Sequence, residues 1–126
     1  MKIIVLYGNQ SSGKTTTMSM VYATLISNGA AIQEFTVIQN TEPTEDFETL
    51  LFYKGKRVAI CSHGDIAGNY NKAVSSYSAK ADVLIIADST GSQMTQPPFV
   101  ILSKTPLNGS EVQANATDCH KIISLI

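Results

Sequence analysis

Residues 8–15 read Gly8-Asn9-Gln10-Ser11-Ser12-Gly13-Lys14-Thr15, two glycines bracketing four residues, with lysine and threonine directly after. What flanks this octapeptide makes it the strongest constraint on the fold. Before it runs Lys2-Ile3-Ile4-Val5-Leu6-Tyr7, a short apolar run with β-branched content. Such a run predicts a buried strand of a parallel sheet. After it, Met18, Val21, Tyr22, Leu25 and Ile26 recur at helical spacing, and Asn28-Gly29 supplies a stop, so residues 14–28 are expected to be helical. A glycine-bounded loop between a strand and a helix turns the amides of residues 9–15 inward and adds the positive end of the helix. Gly8 lets the chain turn out of the strand, and Gly13 lets the backbone approach an anion closely. Gly8, Asn9, Gln10, Ser11, Ser12, Gly13, Lys14, Thr15 and Thr16 are therefore expected to form a cup for polyphosphate. In that cup Lys14 reaches the terminal phosphates, the Thr15 hydroxyl holds Mg²⁺, and Thr16 lies by the innermost phosphate.

The rest of the chain alternates strand and helix signals. Ile32 to Ile38 predicts a second strand. Asn40 to Glu48 clusters Thr, Glu, Pro and Asp, the composition of a loop. Thr49–Tyr53 and Arg57–Cys61, separated by Lys54-Gly55-Lys56, predict a hairpin. Residues 67–80 place Ala67, Tyr70, Val74 and Tyr77 near one helical face. Val83–Ala87 and Phe99–Ser103 are further strand candidates. Ser110-Glu111-Val112-Gln113 is a capping box that opens a helix, and Lys121–Ile126 either continues it or forms a final strand. The expected fold is α/β: a three-layer α/β/α arrangement with a mostly parallel sheet and an added β-hairpin, one domain over residues 1–126.

Composition narrows the function classes. The 126 residues are 44% hydrophobic and 15% charged, with a formal net charge of −1. That supports a packed core and is too apolar for a disordered segment. Arg57 is the sole arginine, and the lysines are scattered, so no electrostatic footprint for duplex nucleic acid is present. No run approaches the ~20 apolar residues that span a bilayer, and no basic amphipathic helix suggests a membrane surface. The opening apolar run stops after seven residues, too short for the core of a signal sequence. Cys61 and Cys119 form no framework and no metal-type spacing, as expected of reduced cysteines in a cytoplasmic protein.

The first 28 residues resemble the start of a P-loop nucleoside-triphosphate-binding protein, and the Walker A pattern G-x-x-x-x-G-K-[ST] is matched in full. Beyond residue 28 the likeness is one of pattern. Val58-Ala59-Ile60-Cys61-Ser62-His63-Gly64-Asp65, a helix, and Val83-Leu84-Ile85-Ile86-Ala87-Asp88 together resemble small bacterial P-loop proteins, a likeness that implies no particular activity. The family implies a P-loop NTPase-like fold, with the loop at the carboxyl edge of the first strand, and ATP (or another nucleoside triphosphate) with Mg²⁺ as ligands. It also implies an acid at the end of a neighbouring strand. In the kinase and GTPase branch the strands flanking the first are the third and fourth, which here would be Arg57–Cys61 and Val83–Ala87. Asp65 is the preferred catalytic acid and water-mediated Mg²⁺ partner, because Ser62-His63-Gly64-Asp65 resembles the D-x-x-G stretch of GTPases in position. Asp88 is the alternative metal-side acid, and either acid also reads as a solvated group at a strand end. The branch of ATPases with an added catalytic strand is disfavoured, since no acidic pair follows an apolar strand.

Other positions carry two readings each. The place of the guanine-reading N-K-x-D motif is taken by Ser103-Lys104-Thr105-Pro106, so adenine is the default base. Lys104 lies along a base face or is a loop lysine in solvent. His63 is a general base or, more commonly at such a place, a hydrogen-bonding spacer. Asn69 and Tyr70 line an acceptor pocket, or Tyr70 belongs to the core. Ser89-Thr90-Gly91-Ser92 touches an acceptor or is a polar turn. Two functions follow. One is Mg²⁺-dependent nucleotide binding by a small phosphotransferase or NTPase of the kinase-like branch, with an unidentified acceptor. The other is a nucleotide-dependent interaction module with little or no hydrolysis, in which bound nucleotide orders loops 39–48 or 89–98 and changes affinity for a protein partner. The shortage of arginines favours the module, or an enzyme whose arginine comes from another subunit of a homo-oligomer.

Overall fold

The computed structural model describes residues 1–9, 12–38, 46–63, 68–89, 94 and 96–126. Among the described residues, six strands and three helices follow in the order β1 (Lys2–Tyr7), α1 (Lys14–Ser27), β2 (Ala31–Val37), β3 (Phe47–Tyr53), β4 (Lys56–Cys61), α2 (Asn69–Tyr77), β5 (Val83–Asp88), β6 (Val100–Ser103) and α3 (Glu111–Ser124). They build a mixed α/β fold around one six-stranded sheet of order β2-β3-β4-β5-β1-β6. β4, β5, β1 and β6 are mutually parallel, while β3 runs antiparallel to both β2 and β4. The carboxyl ends of β4, β5, β1 and β6 consequently share one edge, and the start of β3 lies at that same edge.

Burial explains the order. Every residue of β5 is buried, as suits a central strand with neighbours on both sides, whereas β6 is only half covered and every residue of β2 is exposed. Ile4 and Leu6 point to one face, against Met18, Val21 and Leu25 of α1 and Cys119 and Ile122 of α3. Ile3 and Val5 point to the other, against Tyr70, Ala73, Val74 and Tyr77 of α2. This is the period-2 alternation of a strand apolar on both faces. The hairpin of β3 and β4 turns at Lys54-Gly55, both with positive φ, which matches the twist of the flanking strands.

Two expectations are corrected, and one left open is settled. The strands flanking β1 are β5 and β6, not β4 and β5. β4 is held one place further out because its hairpin partner β3 and the wholly buried β5 occupy its two sides. β3 begins at Phe47, so Phe47 and Glu48 are strand rather than loop, while residues 40–45 of the expected loop lie outside the described residues: Glu48 pairs with Cys61 across the hairpin, and its carboxylate is met by His63 and Tyr77. Lys121–Ser124 continues α3, whose start is capped by the Ser110 side chain accepting from the Gln113 amide at 3.3 Å. Among the described residues, no helix is long and apolar enough to cross a membrane. Both cysteines are free and buried.

Candidate functional site

The loop leaves β1 between its two neighbours. The Gly8 amide donates to the Asp88 carbonyl at 3.1 Å, and the Lys104 amide donates to the Tyr7 carbonyl at 2.7 Å. A Cβ on Gly8 would lie 2.9 Å from both Lys104 Cβ and Ser12 Oγ, so no side chain fits there. Gly13 caps α1 at φ +92°, and a Cβ on it would fall 2.7 Å from Asn115 Oδ1. Thr17 Oγ1 donates to the Gly13 carbonyl at 2.8 Å and lies 3.2 Å from Asn115 Oδ1. Asn115 is buried, so α3 braces the turn into α1. Gly13→Ala is expected to cost more than the ~1–2 kcal/mol of a left-handed non-glycine residue. Gly109, at φ +85° with open space around it, gives the comparison. Chemical denaturation of Gly13→Ala and Gly109→Ala checks this: equal losses would show that the Asn115 contact carries no weight.

Lys14 is 6% exposed despite its charge. Its Nζ donates to the Gly8 carbonyl at 2.9 Å and the Asn9 carbonyl at 2.7 Å, which folds the ammonium back over the start of the loop. Among the described residues, Ser12 Oγ is buried with no hydrogen-bond partner. Thr15 Oγ1 donates to Asp46 Oδ1 at 3.2 Å, and Thr16 is exposed. Asp88 ends β5 opposite Tyr7 and is 1% exposed. Gln10, Ser11 and Asp65 lie outside the described residues, as do Thr90, Gly91 and Ser92. The chain thus brings Gly8, Asn9, Ser12, Gly13, Lys14 and Thr15 into one loop, with Asp88 at its root.

Beside the loop a cavity of about 390 Å³ opens between Gly8, Asn9 and Ser12 on one side and Ser103 to Leu107 on the other. Lys104 neither reaches solvent nor points its charge into this space. Its Nζ lies 2.9 Å from Asp118 Oδ2, with the two side chains 2% and 1% exposed. Thr105 adds its amide at 2.9 Å and its hydroxyl at 2.6 Å to the same carboxylate. Burial pushes the Asp118 carboxyl up, but the hydrogen bonds from Thr105 and Lys104 outweigh it and hold the group below the ordinary aspartate range.

A second polar cluster lies on the α2 side of the sheet. His63 Nε2 donates to Glu48 Oε2 at 2.9 Å, and Tyr77 donates its hydroxyl to Oε1 at 2.9 Å. The Cys61 thiol faces the same oxygen at 3.7 Å, and Asn69 Nδ2 lies 3.3 Å from His63 Nδ1. Both ring nitrogens of His63 are therefore engaged, and the ring acts as a tie between β3, β4 and α2. Tyr70 is core, its hydroxyl donating to the Gln96 carbonyl at 2.8 Å. The hydrogen bond from His63 holds the Glu48 carboxyl below its usual range against the opposing effect of burial, helped by Tyr77 and the charge of His63. A depressed carboxylate stabilises the fold fully above its unfolded pKa of ~4.3, and that contribution fades as pH falls through the lower folded value. Glu48→Ala is expected to cost about 1.5–3 kcal/mol at neutral pH, the worth of hydrogen bonds to a charged group. The loss relative to wild type should shrink below about pH 4 in denaturation curves recorded across pH.

Arg57 is distant from the loop. It starts β4 at the opposite edge of the sheet, where Nη2 lies 3.4 Å from Asp82 Oδ1 and both side chains are about half exposed. Its amide donates to Asp82 Oδ2 at 2.8 Å. Among the described residues no group of three or more His, Cys, Asp or Glu side chains is arranged to hold a metal. Comparison with protein-family models, curated proteins and solved structures finds no match to the chain.

Asp46, Glu48, Asn115 and Asp118 are the site-side residues that pattern reading passed over. Asp46 and Glu48 were within reach of it: counting back from the Lys54-Gly55 turn pairs Glu48 with Cys61 and carries Asp46 to the loop edge. Asn115 and Asp118 gave no such signal, since polar residues on a helix ordinarily face water.

Proposed function

We propose that this chain binds a nucleoside triphosphate, ATP by default, together with Mg²⁺, through the 8–15 loop, within a three-layer P-loop arrangement. The observation that carries the reading is the Ser12 hydroxyl, buried in the loop with no partner among the described residues. A buried, unsatisfied donor costs about 1–3 kcal/mol, and a phosphate oxygen seated in the loop would satisfy it. The other features agree in kind. Gly13 and the start of α1 present backbone amides, and the Lys14 ammonium is held at the loop. The neighbouring cavity, walled by Tyr7 and the 103–107 segment, is of a size for a nucleoside. The donors on offer for a cation are oxygens, the Thr15 hydroxyl and nearby carboxylates, which suit Mg²⁺ completed by phosphate oxygens and water. Bound Mg²⁺ would neutralise charge on the terminal phosphates. The chain's own part is to hold the phosphates by amides and Lys14 and to keep the nucleoside beside β6.

One observation favours the interaction-module form over a fast enzyme. The chain's sole arginine sits at the far edge of the sheet with Asp82, so it supplies no charge to a phosphoryl transition state. The isolated protein is expected to bind MgATP and release phosphate slowly. Steady-state phosphate release by wild type and Lys14→Ala tests this. Rapid turnover by the isolated chain, abolished in the variant, would overturn the module form in favour of a self-sufficient enzyme.

A further inference from the structure

Two hydroxyls converge on one carboxylate oxygen next to the loop. Thr15 Oγ1, on the second residue of α1, and Ser62 Oγ, just past β4, each donate to Asp46 Oδ1 at 3.2 Å. The Ser62 hydroxyl donates because a carboxylate oxygen can only accept, and its own oxygen accepts the Phe47 amide at 2.8 Å. The Asp46 backbone is pinned as well, its carbonyl accepting the Ile38 amide at 2.8 Å. Asp46 is thus a rigidly placed anion, partly exposed, whose partner is the very hydroxyl expected to hold the cation. Thr15 can keep its proton on Asp46 while a lone pair faces a metal. Hydroxyl and carboxylate oxygens in contact form a hard donor set of the kind Mg²⁺ and Mn²⁺ accept.

We infer that Asp46, delivered by the antiparallel strand β3, is the carboxylate that positions the divalent cation, in place of an acid at the end of a parallel strand. The inference rests on the nucleotide-binding reading above. It departs from the expected placement on Asp65 or Asp88. Asp88 is buried at the root of the loop, opposite Tyr7, whereas Asp46 is partly exposed and bonded to Thr15. The β3–β4 hairpin explains how a loop-edge acid arises so early in the chain: its register carries Asp46 past the level of Cys61, beside Ser62.

The test is the gain in ATP affinity on adding Mg²⁺. ATP is titrated calorimetrically into wild type, Asp46→Asn and Asp88→Asn, once in EDTA and once in excess Mg²⁺. Wild type is expected to bind ATP in both conditions and more tightly with Mg²⁺. Asp46→Asn keeps the shape and the hydroxyl contacts, so its metal-free affinity should stay within about threefold while the Mg²⁺ gain falls about 10–100-fold. Asp88→Asn should keep the gain. A full Mg²⁺ gain in Asp46→Asn, or its loss in Asp88→Asn alone, overturns the assignment. Electron paramagnetic resonance of Mn²⁺ with ATP gives a second readout that needs no variant: adding wild type should change the Mn²⁺ signal from that of Mn²⁺ with ATP alone, and a signal identical to that reference counts against any protein-held cation. If wild type binds ATP in neither condition, it is the nucleotide reading that fails.

Discussion

Replacing Asp118 by alanine is expected to lower the unfolding free energy by about 3–5 kcal/mol, the range for removing one partner of a buried ion pair. The reason lies in what remains. Lys104 would keep its ammonium in a place 2% exposed, and Thr105 would lose the acceptor of both its amide and its hydroxyl. Domains of this size are stable by roughly 5–15 kcal/mol, so the variant should sit near the edge of folding. The double variant Lys104→Met/Asp118→Leu removes both charges, and it should recover much of the loss despite the unsatisfied Thr105 groups. Urea denaturation of the three proteins checks both statements. A loss under 1 kcal/mol for Asp118→Ala would mean that water reaches the pair. The folded carboxyl is held below its ordinary value, so its contribution is full above about pH 4 and declines as pH falls through the folded pKa.

This pair has a functional side. Gly8 packs against the Lys104 side chain so closely that a Cβ would meet it at 2.9 Å. The Lys104 amide also holds the Tyr7 carbonyl where β1 ends. The loop therefore rests on a segment whose position depends on Asp118 of α3. Asn115, one turn earlier on α3, braces Gly13. Both ends of the loop are supported by one helix at the end of the chain.

That dependence was not legible in the sequence, whereas the strand and the helix on either side of the octapeptide's glycines were. An octapeptide with fixed glycines between an apolar strand and an amphipathic helix is a local signal, and the strand and helix fall where residue spacing puts them. The buried strand β5 was equally plain, because six consecutive residues with no face turned to water leave little choice. Strand order was not plain. It depends on which strands compete for the centre, and the hairpin displaced β4 from the side of β1. Polar residues misled most. Glu48 read as loop because a charge within a strand ordinarily faces solvent, yet His63, Tyr77 and Cys61, distant in sequence, converge on it. Lys104 read as a surface or base-facing lysine because its partner lies 14 positions later on a helix.

Lys14→Ala is the variant with the largest expected effect on binding. In wild type the ammonium lies over the Gly8 and Asn9 carbonyls, at the start of the loop. A charged hydrogen bond to phosphate is worth about 1.5–3 kcal/mol, so MgATP affinity should fall by roughly 10–150-fold. Circular dichroism should show the fold retained, since the core residues around α1 are untouched. A fluorescent ATP analogue titrated into both proteins reads the change. Equal affinities would place the phosphates away from Lys14.

The most direct measurement is the unfolding free energy of wild type at rising MgATP concentration. A ligand that binds only the folded chain raises it by RT ln(1 + [L]/Kd), about 2.7 kcal/mol at 100 times Kd. The expected result is that logarithmic rise. A stability that stays flat up to millimolar MgATP would contradict the claim that the 8–15 loop captures polyphosphate.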